Sequence, residues 1–257
     1  MGTVFRFVGR TMLDEVSIKE ALDAAVQILH RADEVFSLYK PDSPLSRLAR
    51  GLTQVSECPP EVSDVWDLCE EWSSETSGWF NAFTPEHTFD PSGLVKSWAA
   101  NRAAEKLEEL GVNDFAMNAG GDIRLSKNIQ PGIPLRIGIS KPITIASTEA
   151  GVLTVVDLND TNFRAVATSG NAERGEHIWN PNDNSYAASL AQVTVVARDL
   201  ITADIWATAL FASGAQALGL VEAHNLKNSD AQIEVLIVEL DGSLIASQGF
   251  SSLLKPV

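Results

Sequence analysis

The 257-residue chain is long enough for a substantial core, and 45% hydrophobic with 21% charged residues is an ordinary globular composition, neither disordered nor fibrous. Its formal charge of -15, from 34 acidic against 19 basic residues, argues against nucleic-acid backbones and anionic membranes as partners. An anionic ligand would therefore need a metal ion or a local cluster of donors.

In chain order, Val4 to Val8 alternate apolar and polar residues and predict a strand. Ser17 and Glu20 have the spacing of a capping box and predict a helix with Leu22, Ala25, Val26, Leu29 and Phe36 inward. The stretch from Ser37 to Leu48 mixes turn formers, hydroxyls and the lone aromatic Tyr39, and reads as a surface loop or as a lid whose tyrosine stacks on a ligand ring. Thr53 to Ser56 suggests a short strand, and Pro59-Pro60 opens a helix through Trp72 that Gly78 closes. Cys58 and Cys69 have no metal-like spacing and read as buried free thiols.

The run from Asp90 to Arg124 is the most informative. Leu94, Val95, Trp98, Ala99, Arg102, Ala103, Leu107 and Leu110 fall mostly on one helical face, with Asn101, Glu105, Lys106, Glu108 and Glu109 toward water and Gly111 as the stop. Phe115 to Met117 is a short strand, and Asn118-Ala119-Gly120-Gly121-Asp122 is either a tight turn or backbone stripped for close approach by a ligand. Strands are expected at Leu135 to Ile139, Val152 to Leu158, Phe163 to Ala167 and Val193 to Ala197, with Thr168-Ser169-Gly170-Asn171 breaking the pattern.

Asp199 is placed to cap a helix from Leu200 to Ser213 that Gly214 ends, and Ile233 to Ser247 reads as a closing hairpin. On that otherwise apolar helix Asp204 and Thr208 are four apart, so their oxygens share a face. A carboxylate in such surroundings needs a partner, and a hard cation such as Mg²⁺ is one; the alternative is a solvent-open face with Thr208 bonded to its own backbone. The GxGxxG, GxxxxGK[ST] and GxSxG patterns are absent. No apolar run approaches the length of a membrane span, and the first ten residues lack signal-peptide regions. A soluble, cytoplasmic chain without stable membrane insertion is expected, with one domain over 1–257.

Taken together, these fragments resemble the ApbE-type FAD:protein FMN transferases over nearly the whole chain and in the family's order. The resemblance implies an α/β (α+β) fold of mixed or antiparallel sheets with packed helices, related to the T-fold. It sets Met1, Gly2 and Thr3 near the flavin, Ser37 and Tyr39 at the adenine end of FAD, and Lys96 near phosphate. Asn118, Ala119, Gly120, Gly121 and Asp122 form the flavin turn; Thr168, Ser169 and Gly170, followed by Glu173-Arg174 and by His177 with Ile178, form a further flavin segment. The Gly93 carbonyl, Asp204 and Thr208 fall on the family's Mg²⁺ ligands. The chain departs from the family at Pro91-Ser92, Ser97 and Asn180.

What the resemblance implies is transfer of FMN from FAD to a threonine or serine hydroxyl of a partner protein, with release of AMP. His177 is the candidate base for that hydroxyl, with Lys96 and Asp122 completing the catalytic set. Two other functions fit the same residues: a Mg²⁺-dependent FAD pyrophosphatase giving FMN and AMP, and an FAD-binding module without turnover.

Overall fold

The computed structural model describes residues 2–129, 135–142, 151–171 and 177–255. By its internal contacts the chain divides into two compact units, Met1–Ile129 and Gln130–Val257.

The N-terminal unit runs β1 (Phe5–Arg10), α1 (Glu15–Phe36), α2 (Pro44–Ala49), α3 (Pro60–Glu75), α4 (Ser92–Glu109), β2 (Asp114–Ala119) and β3 (Asp122–Leu125). β2 pairs antiparallel with β1 on one side and β3 on the other. Long α1 begins earlier than the Ser17 spacing predicts: Asp14 is the cap and accepts from the Ser17 amide, because a residue one turn ahead of Ser17 already has a suitable carboxylate. Alanines carry its inward face, with Ala21 and Ala25 sealed, while Leu22 and Val26 are partly exposed. α4 is equally rich in buried alanines and packs on α1 and on β2.

Between α3 and α4 an irregular segment folds back on itself through a bridge between Phe83 and Phe89. Both rings pack against Trp66 of α3, at 5.2 and 4.5 Å between centroids. This aromatic anchor holds the entry to α4, where Asp90 accepts from the Ser92 amide at 3.0 Å. The stretch expected as a strand at Thr53 to Ser56 instead holds a 3₁₀ turn, Val55–Glu57, closed by the Glu57 carboxylate on the Gln54 amide. Cys69 is buried and Cys58 half-buried, both as free thiols. Burial pushes the Cys69 thiol up to about 12, with the Asp90 carboxylate adding to the shift.

The C-terminal unit contains β4 (Arg136–Ser140), β5 (Val152–Asp157), β6 (Ala165–Gly170), β7 (Leu190–Ala197), α5 (Leu200–Ser213), α6 (Ala217–Lys227), β8 (Glu234–Glu239), β9 (Leu244–Ala246), α7 (Phe250–Leu253) and β10 (Leu254–Lys255). β6, β7, β8 and β9 pair antiparallel in that order, and β10, β5 and β4 form a separate small sheet. Every residue of β7 is buried, as befits a strand flanked on both edges with α5 packed on it.

α5 begins and ends where the sequence predicts. Asp199 accepts from the Thr202 amide at 2.9 Å, and Gly214 leaves the helix with a positive φ of 56°. Leu200–Lys227 is, by length and composition, a helical run long and apolar enough to cross a membrane, contrary to the expectation of none. A 3₁₀ turn at Gly214–Gln216 splits it, and α5 is covered by β6 and β7.

Candidate functional site

In the N-terminal unit, β2 and β3 are joined by a two-residue turn in which Gly120 and Gly121 both have positive φ, 64° and 103°, so the glycines first of all close a hairpin. Gly120 has a second reason to be glycine. A Cβ there would lie 2.2 Å from the Thr3 Oγ1, and its amide donates to the Val4 carbonyl at 3.1 Å. Two segments distant in sequence, Gly2-Thr3 and Asn118 to Asp122, are thereby stacked. The Asn118 side chain locks the turn by accepting from the Gly121 amide at 2.9 Å.

Asp122 is buried and receives the Lys96 ammonium, which projects from the second turn of α4. The predicted lysine and aspartate thus meet as an ion pair, the lysine side chain 17% exposed and the aspartate 3%. A second cross-link between the same helix and strand was hidden in the periodicity. Arg124, on the same face of β3 as Asp122, is 3% exposed; its Nε donates to Asn101 Oδ1 at 2.9 Å, and its two Nη groups donate to the Glu108 carboxylate at 3.3 and 3.2 Å. Asn101 and Glu108 therefore face a buried guanidinium rather than water. The available signal was Arg124 itself, an arginine in phase with an inward aspartate. Gly93 lies in the first turn of α4, where an added Cβ would stand 3.2 Å from the Phe80 ring.

The Tyr39 loop is pinned at its base. The Ser37 carbonyl accepts from Ser43 Oγ at 2.6 Å and from Ser46 Oγ at 3.1 Å, and Ser43 caps α2. Tyr39 stands at the tip, 92% exposed.

In the C-terminal unit, the Thr168-Ser169-Gly170 run does not break the strand. Pairing of Gly170 with Gln192 keeps all three residues in β6, where tertiary pairing overrides their turn-forming character. Consecutive strand residues point to opposite faces. Thr168 Oγ1 accordingly shares a hydrogen bond with Thr194 Oγ1 at 2.9 Å, whereas Ser169 Oγ lies 3.3 Å from Thr208 Oγ1 on α5. Asp204, one turn before Thr208, is 5% exposed, so a solvent-open face does not describe it. A buried carboxylate one turn from a threonine on the same helix supplies hard oxygen donors, which fit Mg²⁺ and not a softer metal. Among the described residues no group of three or more His, Cys, Asp or Glu lies together.

His177 is exposed at the base of a small hairpin in which Trp179 bridges Tyr186 and the Ile178 carbonyl accepts from the Ala187 amide at 2.8 Å. Asn171 secures this base by donating to the Ala187 carbonyl at 2.9 Å. Asn180 accepts from the Asn182 amide and so closes the hairpin's own turn. Met1, Glu173 and Arg174 lie outside the described residues.

The motifs on these elements match the model of the ApbE family over residues 1–88 and 82–233. The chain belongs to the ApbE family. Among its relatives, the FAD:protein FMN transferase of Haemophilus influenzae is 35% identical over 153 residues, 55% of this chain and 42% of that protein. The protein of that name from Vibrio cholerae is 29% identical over 152 residues, covering 55% of this chain and 44% of its own. The matched stretch is thus under half the length of these relatives. The fold extends the likeness to almost the entire chain. The ApbE protein of Thermotoga maritima superposes with a TM-score of 0.80 at 21% identity, over 99% of this chain and 97% of that one. The flavin transferase ApbE of Vibrio cholerae gives 0.75 at 22%, over 99% and 96%. The ApbE fold of helices packed on antiparallel sheets is therefore this chain's fold.

Proposed function

We propose that this ApbE-family chain transfers FMN from FAD to a threonine or serine hydroxyl of an acceptor protein, releasing AMP. The observation that carries the reading is that Thr208, one turn after buried Asp204 on α5, has its Oγ1 3.3 Å from Ser169 Oγ, so the Thr-Ser-Gly segment meets the Asp-Thr helix. The names of the relatives, FAD:protein FMN transferase, support the same chemistry.

In this reading the acceptor oxygen attacks the phosphorus nearest the flavin. The bond from that phosphorus to the bridging oxygen breaks, and AMP departs with it. The hydroxyl proton passes to His177, whose exposed position leaves it open to an incoming protein chain. Phosphoryl transfer is mostly positioning and charge neutralisation, which suits a site of fixed donors. Lys96, oriented by Asp122, meets phosphate; the Gly120-Gly121 turn gives backbone to the flavin, and Tyr39 offers a ring to adenine. Asp204 and Thr208 would hold Mg²⁺, which when bound would supply positive charge to neutralise phosphate.

Incubation with FAD, Mg²⁺ and a flavin-carrier domain, followed by denaturing gel fluorescence, tests the proposal. Fluorescence that stays with the acceptor band supports it. FMN and AMP without a fluorescent band would replace it with FAD hydrolysis, and the absence of both products would leave binding alone.

A further inference from the structure

β6 keeps its pairing as far as Gly170 opposite Gln192, and Asn171 is the first residue past that ladder. It leaves from a fixed platform. A Cβ on Gly170 would lie 2.9 Å from the Ala191 carbonyl oxygen, so the end of β6 is pressed against β7, while Ser169 just before it meets Thr208 on α5.

The stretch from Ile178 to Ala187 is tied to itself at three successive levels. The Ala187 amide donates to the Ile178 carbonyl at 2.8 Å, Trp179 bridges Tyr186, and the Asn180 amide donates to the Ser185 carbonyl at 2.7 Å. A hairpin held in this way moves as one body, so whatever fixes its base also fixes the approach of His177, the residue directly ahead of it. Ile178 and Ala187, 7% and 6% exposed, seat that base by apolar contact, which has no preferred direction. A directional tie comes from β6: Asn171 Nδ2 donates to the Ala187 carbonyl at 2.9 Å.

The same side chain carries an unmatched atom. Asn171 Oδ1 is buried and has no hydrogen-bond partner among the described residues. Turning the amide over gives no relief, because the Ala187 carbonyl only accepts and Nδ2 must face it. A side chain that served stability alone would match both of its ends; this one leaves an acceptor unmatched, which costs the fold, while aiming one donor at the hairpin. On the reading of His177 as the base for the acceptor hydroxyl, we infer that Asn171 is a positioning residue for the transfer reaction: through the Ala187 carbonyl it sets the hairpin, and with it His177, relative to β6. Without that donor the apolar seat remains and the hairpin stays folded, but the imidazole settles off its line, and a misplacement of about 1 Å can lower a rate about 100-fold.

Rates of covalent flavin transfer to a flavin-carrier domain, with FAD and Mg²⁺, for Asn171→Ala, Asn171→Asp, His177→Ala and the Asn171→Ala/His177→Ala double variant test the inference. Aspartate keeps the shape of asparagine and lacks the donor. Both Asn171 variants should lose roughly 10- to 100-fold in kcat, with KM for FAD within about twofold of the parent and a melting curve close to the parent's. In the His177→Ala background, Asn171→Ala should change the rate by less than about twofold, because no base is left to position. A further loss in that background, a parental kcat for Asn171→Asp, a loss seen in KM for FAD rather than in kcat, or a collapsed melting curve in both Asn171 variants would overturn it while leaving His177 as the base. A parental rate for His177→Ala would instead remove the base itself, and the positioning role with it.

Discussion

Asp204 is the residue whose chemistry is easiest to isolate, because asparagine keeps its shape and removes its charge. Asp204→Asn should lower Mg²⁺ affinity at least about tenfold, as loss of a charged ligand does, and depress turnover at low Mg²⁺ while the far-ultraviolet spectrum stays that of the parent. Calorimetric titration with Mg²⁺ is the check; parental affinity would remove Asp204 from any metal site. The cysteines offer a second residue-scale test. A thiol whose folded pKa is about 12 is almost wholly protonated at pH 8, and thiolate is the reactive form. Iodoacetamide at that pH should therefore label half-buried Cys58 well before Cys69, as read by peptide mass spectrometry. Because burial raises this thiol's pKa, the stability it contributes is present below the unfolded thiol's pKa and is lost as pH rises through the folded value. At this scale the burial of Asp204 was foreshadowed by its place on an apolar helix, one turn before Thr208. The opposed faces of Thr168 and Ser169 were not, because the run's turn-forming composition conceals a strand whose alternation separates them.

Among the elements, the β2–β3 hairpin carries the sharpest contrast. Both turn glycines sit at positive φ, which costs an alanine about 1–2 kcal/mol, but only at Gly120 would the new Cβ also collide with Thr3. Gly120→Ala should thus cost more than about 2 kcal/mol in urea denaturation and Gly121→Ala less, and Thr3→Ala should recover part of the Gly120→Ala loss. Equal losses at the two glycines would mean that Thr3 yields freely. The tie from α4 to β3 is a second case. Glu108→Gln leaves the buried Arg124 guanidinium uncompensated and should cost about 3 kcal/mol, whereas Arg124→Met should cost less, since Glu108 keeps the Lys127 amide at 2.8 Å. Chemical denaturation of both variants decides it; a milder Glu108→Gln would show that the pair contributes little. α5 was legible from its capping aspartate and its stop glycine, both local signals. α6 followed no such cap, and the inward side of α4 depended on an arginine from another element, which helical periodicity cannot register.

For the molecule as a whole, the ApbE fold was visible in one sequence because several motifs, such as the Asn118 to Asp122 turn and the Ser43 cap, sit where backbone geometry demands particular residues. The division at residue 129 was not visible, since it depends on how the elements pack. The central claim is transfer of FMN from FAD to an acceptor protein. Covalent flavin on an acceptor domain and free AMP, quantified in the same reaction with FAD across a Mg²⁺ series for the parent and Asp204→Asn, test it most directly. The parent should form the two products in equal amounts, rising together with Mg²⁺, and Asp204→Asn should form neither at low Mg²⁺. AMP well in excess of covalent flavin, or products from Asp204→Asn at the parental rate without added Mg²⁺, would contradict it.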